Sequence, residues 1–173
     1  EAFCMLNDQA IAAQYLLDHQ HAKKILIIDL DVHQGNGTAE IFNKENRVFT
    51  FSMHGQKNYP FRKEQSDWDI PLEDKTGDDV YLNALNDTLP KLFERVDPDF
   101  IFYLSGVDVL ATDRLGRLSM SLEGCKQRDE QVLEFCYKRS VPIQCSMGGG
   151  YSKDIKLIIE AHANTYRMAK RIF

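Results

Sequence analysis

Four short apolar segments alternate with segments of helical periodicity along this chain of 173 residues. The apolar segments are Ile25–Leu30, Arg47–Met53, Phe100–Ser105 and Val141–Met147. Each is too short for a typical helix and has the length and residue types of a buried strand. The connection 55–76 has no sustained period, and a short edge strand is predicted within it near Trp68–Ile70.

Apolar residues spaced by three and four predict the intervening helices, at about 6–17, 38–43, 78–95, 121–139 and 155–166. Ser121 is predicted to cap the fourth of these helices at its N-terminus. Strands that are apolar on both faces and alternate with helices indicate a parallel sheet covered by helices on both sides. The predicted fold class is therefore α/β, in a single domain.

Composition and charge exclude several classes of partner. The chain has 26 acidic and 21 basic residues, and the net charge of −5 lacks the basic excess that a phosphate backbone requires, so no direct nucleic-acid partner is expected. Its apolar runs are far shorter than the roughly 20 residues that cross a bilayer, so no membrane partner is expected. The four cysteines form no C-x-x-C pair, which predicts reduced, partly buried thiols and a cytoplasmic location, or a nuclear one in a eukaryote.

Charged residues follow the ends of the predicted strands, where open parallel sheets bind their ligands. Asp29, Asp31 and His33 follow the first apolar segment, and period-two alternation places all three on one side if the strand continues through them. Two carboxylates and an imidazole at one place require a cation. Asp108, after the third strand, completes a set with Asp31 and His33 that leaves one position open, as catalytic zinc sites do; iron and manganese also accept such donors.

The fourth strand ends in three glycines followed by Tyr151. Glycines allow a tight turn there, which we expect to bring the phenol beside the metal, where it donates a hydrogen bond to a developing oxyanion. A glycine-rich turn after a strand also binds phosphate in some proteins, but this one lacks the lysine of a P-loop and the spacing of a dinucleotide-binding motif.

Four segments, in this order, resemble the histone deacetylase superfamily: Phe3–Asp8, Asp29–Thr38, Ser105–Asp108 and Gly148–Tyr151. Two more, Asp113–Ser119 and Tyr59-Pro60, are most similar to its class IV members. The resemblance implies the three-layer arginase/deacetylase-type fold, with residues 1–173 as the C-terminal portion of a single catalytic domain that lacks its N-terminal part.

The resemblance also implies a role for particular residues. The family's zinc ligands correspond to Asp31, His33 and Asp108, and its transition-state-stabilising tyrosine corresponds to Tyr151. Its structural potassium would be bound by the Asp29 carboxylate, the Ser52 hydroxyl and the main-chain carbonyls of Asp31, His33 and Met53. The acyl-lysine channel would be lined by Phe3, Tyr59, Leu115 and Gly149.

The family carries a His-His pair shortly before its Phe-Cys segment, and this chain begins after that point. Neither His19 nor His21 matches the pair, and His54 stands where the family uses no catalytic residue. The residues given are therefore expected to bind metal but to lack the general base. The implied function is zinc-dependent removal of acetyl or longer acyl groups from lysine side chains of proteins. An acetylpolyamine or other acylamine amidohydrolase and a non-catalytic metal-binding module remain alternatives.

Two rival enzyme classes fit the residues less well. A haloacid dehalogenase-type phosphatase would use Asp29 as nucleophile, Asp31 as acid and Gly77–Asp79 as later metal ligands, but that family has threonine or valine at the position of His33. Arginase-type binuclear manganese enzymes need an Asp-x-Asp after the later strand, whereas Val109 and Leu110 follow Asp108.

Overall fold

The computed structural model describes residues 4–173, in which five strands and five helices alternate. The strands are β1 (Ile25–Asp29), β2 (Val48–Gly55), β3 (Trp68–Leu72), β4 (Phe100–Gly106) and β5 (Ile143–Gly148). The helices are α1 (Asp8–Asp18), α2 (Asn36–Phe42), α3 (Asp78–Val96), α4 (Leu122–Lys138) and α5 (Ile155–Ile172). All predicted elements are present, including the short edge strand.

The five strands form one parallel sheet in the order β3-β2-β1-β4-β5. The central strand β1 is buried along its whole length, between β2 and β4. In this register Asp29 lies opposite Ser52 of β2 and Leu104 of β4. The ends of β1, β2 and β4 therefore meet at one edge of the sheet.

Helices cover both faces of the sheet, as predicted. Leu26 and Ile28 of β1 pack in a large core with α3 and α4, whereas Ile25 and Ile27 pack in a smaller core with α1 and Phe42 of α2. Successive strand residues point to opposite faces, so this division follows from the period of two. The α/β class is thereby confirmed.

Side chains cap the helices where the sequence provides an oxygen that accepts a hydrogen bond from a backbone N–H group. The Ser121 Oγ accepts a hydrogen bond of 2.9 Å from the Gly124 N–H, which confirms the predicted cap of α4. The Asn7 side chain accepts the Ala10 N–H in the same way at the start of α1. Each such cap contributes about 1 kcal/mol.

Burial of the cysteines was predicted correctly in three cases of four. Cys125 and Cys136 are buried and Cys145 is half-buried, but Cys4 is exposed, because residues 4–7 belong to neither core. Within residues 4–173, no helix combines the length and the apolar character that a membrane span requires.

A candidate metal centre at the ends of β1 and β4

The candidate site lies where β1 and β4 end side by side. Asp29 is the last residue of β1, and Asp31 and His33 follow in the loop; Asp108 follows two residues after the end of β4. The two strands are hydrogen-bonded neighbours, although residues 30–99 separate them in the sequence. The sheet order therefore brings Asp108 to Asp31 and His33.

Period-two alternation would group these residues only if β1 continued through them, but β1 ends at Asp29. They are instead oriented by hydrogen bonds from backbone N–H groups to carboxylates. The Asp31 N–H donates to Asp29 Oδ1 (3.0 Å), the His33 N–H donates to Asp31 Oδ1 (2.8 Å), and the Val32 N–H donates to Asp108 Oδ1 (2.9 Å). A compact loop thus replaces the strand and still turns the side chains toward one point.

Asp31, His33 and Asp108 form one group of potential metal donors. His33 Nδ1 lies 2.9 Å from Asp31 Oδ1 and 3.2 Å from Asp108 Oδ2, and the three donor atoms lie within 4.8 Å of one another. Across residues 4–173, this is the one group of three or more such side chains with that geometry. Zinc bonds nitrogen and oxygen at about 2.0–2.2 Å, which separates tetrahedral donors by about 3.4 Å, so the group has the dimensions of a zinc site.

The electrostatics of the group also favour a bound cation. Burial and the charge of Asp31 raise the pKa of Asp108, whose side chain is 1% exposed, to about 7. Burial also raises the pKa of Asp29 well above its ordinary value, and the charge of Asp31 adds to this. Burial lowers the pKa of His33, but hydrogen bonds to Asp108 and Asp31 outweigh it and raise that pKa to about 10. A divalent cation would relieve the repulsion among the carboxylates.

Glycine allows the two strand ends to approach closely. A side chain on Gly106 would place its Cβ 2.5 Å from the Asp31 Cα, and one on Gly149 would overlap the Asp108 carboxylate. Gly149 also has a φ of +63°, which glycine adopts at low cost. These contacts explain why a glycine is needed at both positions beside the metal donors.

Tyr151 follows this turn and is 36% exposed. The Gly148 carbonyl, at the end of β5, accepts the Val107 N–H (2.9 Å), so the turn begins directly beside the Asp108 loop. The predicted placement of the phenol over the metal donors remains a prediction.

Asp29 and Ser52 lie in register on neighbouring strands and are both buried. The Ser52 Oγ lies 3.3 Å from the Gly35 N, from which it accepts a hydrogen bond, and 3.0 Å from His54 Nδ1. A Cβ on Gly35 would overlap the Asp29 carboxylate. The two side chains predicted to bind potassium therefore share one face of the sheet, next to the metal donors.

Two of the predicted channel residues lie on connected loops. Tyr59 and Leu115 are 42% and 45% exposed, and Asn58 joins their loops by donating from its side chain to the Leu115 carbonyl (2.9 Å). Gly149 lies beside Asp108, as described. Phe3, the fourth predicted channel residue, lies outside the described residues.

Two sets of residues considered in the sequence analysis do not belong to the group of metal donors: the aspartate at the start of α3, which a phosphatase would use as a metal ligand, and the three histidines that do not match the His-His pair. The Asp78 carboxylate accepts hydrogen bonds from the Ser121 N–H (2.8 Å) and hydroxyl (2.6 Å), where it joins the starts of α3 and α4. His19 and His21 are exposed after α1 with their rings stacked, and His54 is buried beside Ser52.

Sequence reasoning missed Arg128 and Asp129, which are completely buried in α4. The Arg128 Nη1 donates to the carbonyls of Gly106 (2.5 Å) and Leu30 (3.3 Å), next to the metal donors. A signal was available, because both residues share the buried face of α4 with Cys125 and Val132. Charged residues on an otherwise apolar helix face indicate a buried polar network.

Residues 1–166 match the family model of the histone deacetylase domain. The chain belongs to the histone deacetylase family. This histone deacetylase-family chain is 44% identical over 171 residues to an uncharacterized protein of Picosynechococcus, a match that covers 99% of this chain and 57% of the relative. It is 31% identical over 160 residues to histone deacetylase 2 of Arabidopsis thaliana, covering 91% of this chain and 41% of that protein. The chain thus spans about half the length of these curated relatives.

The fold of this family member also matches that of solved structures. The acetylpolyamine aminohydrolase from Burkholderia pseudomallei superimposes with a TM-score of 0.80 at 24% identity, covering 99% of this chain and 51% of that one. This likeness confirms the arginase/deacetylase-type fold. The closer resemblance to class IV members stays a prediction.

Proposed function

We propose that the protein is a zinc-dependent amide hydrolase that removes acetyl or longer acyl groups from lysine side chains of proteins. Residues 1–173 would be the C-terminal portion of its single catalytic domain. The proposal is carried by the grouping of Asp31, His33 and Asp108 beside the turn that leads to Tyr151. Family membership supports a deacetylase-type hydrolase in general terms.

In this proposal the metal is bound by the carboxylates of Asp31 and Asp108 and by Nδ1 of His33. A bound Zn²⁺ supplies Lewis acidity toward the amide carbonyl and lowers the pKa of a water toward about 7. Fe²⁺ accepts the same donors, so the metal used in the cell is to be measured. The Val32 N–H and the loop hydrogen bonds hold the carboxylates in place for it.

Tyr151 is proposed to donate its phenol hydrogen to the substrate oxygen that becomes negatively charged. The channel for the acylated side chain would be lined by Tyr59, Leu115 and Gly149, together with Phe3. Proton transfer is assigned to the His-His pair that family members carry before their Phe-Cys segment.

A structural potassium ion is proposed beside the zinc, bound by the Asp29 carboxylate, the Ser52 hydroxyl and the carbonyls of Asp31, His33 and Met53. The support is that Asp29 and Ser52 are buried and lie in register on neighbouring strands. The Asp29 carboxylate accepts the Asp31 N–H, and the Ser52 hydroxyl contacts the Gly35 N–H and His54 Nδ1. A cation there would stabilise the ionised form of Asp29, which burial disfavours.

Metal analysis and a substrate panel on the full-length protein test the proposal. We expect one zinc or iron per chain and turnover of acetyl- and longer acyl-lysine peptides. Faster turnover of acetylated polyamines would reassign the substrate to a small acylated amine. Stoichiometric metal with no turnover of any acylated amine would identify a non-catalytic metal-binding module instead. A cytoplasmic or nuclear location remains a prediction that imaging would check.

A further inference from the structure

Three consecutive residues of the loop after Asp108, Thr112–Arg114, form hydrogen bonds with Tyr151 and Ser152, the two residues that follow the glycine turn. The Asp113 Oδ2 accepts the Tyr151 N–H (2.6 Å), and the Arg114 Nε donates to the Tyr151 carbonyl (3.0 Å). The Thr112 and Ser152 hydroxyls lie 2.7 Å apart and share a hydrogen bond. Both backbone groups of Tyr151 are therefore held by one loop, which we call the 112–116 loop.

Asp113 also organises the loop to which it belongs. Its Oδ1 accepts the N–H groups of Leu115 and Gly116, each at 2.8 Å, and its own N–H donates to the Leu110 carbonyl (2.9 Å). One carboxylate thus accepts three backbone N–H groups, two from its own loop and one from Tyr151. Hydrogen bonds to an ionised acceptor are stronger than those between neutral groups.

The 112–116 loop is itself fixed to the metal-donor segment. Gly116 packs so closely on the Asp108 carbonyl that a Cβ at that position would overlap the carbonyl oxygen. The turn before Tyr151, by contrast, consists of Gly149 and Gly150 with φ angles of +63° and +113°. Glycines restrict the backbone least, so the turn alone does not determine where Tyr151 lies.

We propose that Asp113 and Arg114 are positioning residues that fix Tyr151 relative to the metal donors. Through its second oxygen, Asp113 also ties the position of Leu115 to that of Tyr151. The anchoring of the backbone stands on the hydrogen bonds alone, whereas its consequence for catalysis rests on the proposed function of Tyr151.

Amide hydrogen exchange on the full-length, metal-loaded protein tests the anchoring without any assay of activity. In Asp113→Ala we expect the amides of residues 149–152 to exchange about tenfold faster, with β1, β4 and the metal content unchanged. Asp74→Ala is the matched control, because it removes a carboxylate that pairs with Arg117 (3.2 Å) and leaves the Tyr151 backbone bonds intact. Unchanged exchange in Asp113→Ala would overturn the proposal.

Arg114→Ala provides a second route if Asp113→Ala folds poorly, since Arg114 is exposed and its Nε bond to Tyr151 is made at the surface. It should increase exchange in the same segment. If Asp113→Ala does not fold and the amides of residues 149–152 exchange in Arg114→Ala at the rate of the unmodified protein, the proposal is overturned.

A double-mutant cycle then tests the effect on turnover. Asp113→Ala should lower kcat about 10-fold to 100-fold through misplacement of the phenol, and change kcat by less than about twofold in the Tyr151→Phe background. Equal losses in both backgrounds would show that Asp113 does not act through the phenol and would overturn the positioning role. An unmodified protein that hydrolyses no acylated amine would refute the proposed function, and the exchange result would still decide the anchoring.

Discussion

Arg128 and Asp129 form a completely buried ion pair, with Nη2 of the arginine 2.8 Å from Oδ1 of the aspartate. Asp129 also accepts hydrogen bonds of 2.6 Å from the Tyr103 hydroxyl and the Thr165 hydroxyl. Arg128 donates in turn to the Gly106 carbonyl. The pair therefore connects α4 and α5 to the ends of the strands that carry the metal donors.

The first prediction is that Asp129→Ala destabilises the protein by about 3–5 kcal/mol, because it leaves the buried Arg128 charge without its partner. It also removes the acceptor of Tyr103 and Thr165. Urea unfolding measures the change. Glu134→Ala is the control: it removes an exposed pair with Lys138 on the same helix and should change the unfolding free energy by less than about 0.5 kcal/mol. A loss below about 1 kcal/mol in Asp129→Ala would show that the network contributes little.

The order of elements and the position of the site at the strand ends were predictable from the sequence. Short, continuous apolar runs such as Ile25–Ile28 in β1 and the three-four spacing in Asp78–Val96 reflect local burial, which the pattern of apolar residues reports directly. The grouping of Asp31 and Asp108 followed from the rule that parallel strands present their carboxyl ends together.

Interactions that cross between elements were not predictable in the same way. Asp113 meets Tyr151 and Arg128 meets Gly106 because β4 lies between β1 and β5, and strand order is not contained in the local pattern. The loop that replaces the strand after Asp29 was missed for another reason: alternation along a strand and carboxylate–amide hydrogen bonds in a loop place side chains at similar spacing.

A second prediction concerns thiol reactivity. Burial raises the pKa of Cys125 and Cys145 to about 11 and that of Cys136 to about 12, so all three remain protonated at pH 8 and lack the reactive thiolate. An aromatic disulfide reagent should therefore label one thiol rapidly, the exposed Cys4, and the buried thiols should react faster only as the pH rises toward their raised pKa values. Cys4→Ser should abolish the rapid phase, and a rapid phase that persisted in this variant would contradict the assignment.

A third prediction is that Gly106→Ala weakens metal binding by at least about tenfold, since its Cβ would lie 2.5 Å from the Asp31 Cα and 2.8 Å from the Asp31 Oδ2. Gly77→Ala is the matched control, because the nearest atom to a Cβ there is the Ser119 carbonyl oxygen at 3.8 Å. Competition with a chromophoric zinc chelator gives both dissociation constants. Equal affinity in the two variants would mean that the loop accommodates the methyl group.

A fourth prediction is that zinc stabilises the metal-free protein against unfolding, by about 2.7 kcal/mol when free zinc is 100 times its dissociation constant. Asp108→Ala should abolish this gain, because it removes a nearly fully buried donor of the group. Asp87→Ala, which removes an exposed carboxylate of α3, should retain it. Stoichiometric zinc in Asp108→Ala, measured by atomic emission, would contradict the assignment of this ligand.

The final prediction separates chemistry from metal binding at Tyr151. Tyr151→Phe in the full-length protein should leave the zinc content and its stabilising effect unchanged, because Asp31, His33 and Asp108 are all retained in this variant. It should lower kcat for an acetyl-lysine peptide by about 10²–10³, the typical cost of losing one hydrogen bond to a developing oxyanion. Tyr137→Phe removes a hydroxyl from an exposed tyrosine of α4 and should leave kcat unchanged. Full activity in Tyr151→Phe would assign oxyanion stabilisation to another group and leave Tyr151 as a residue of the channel wall.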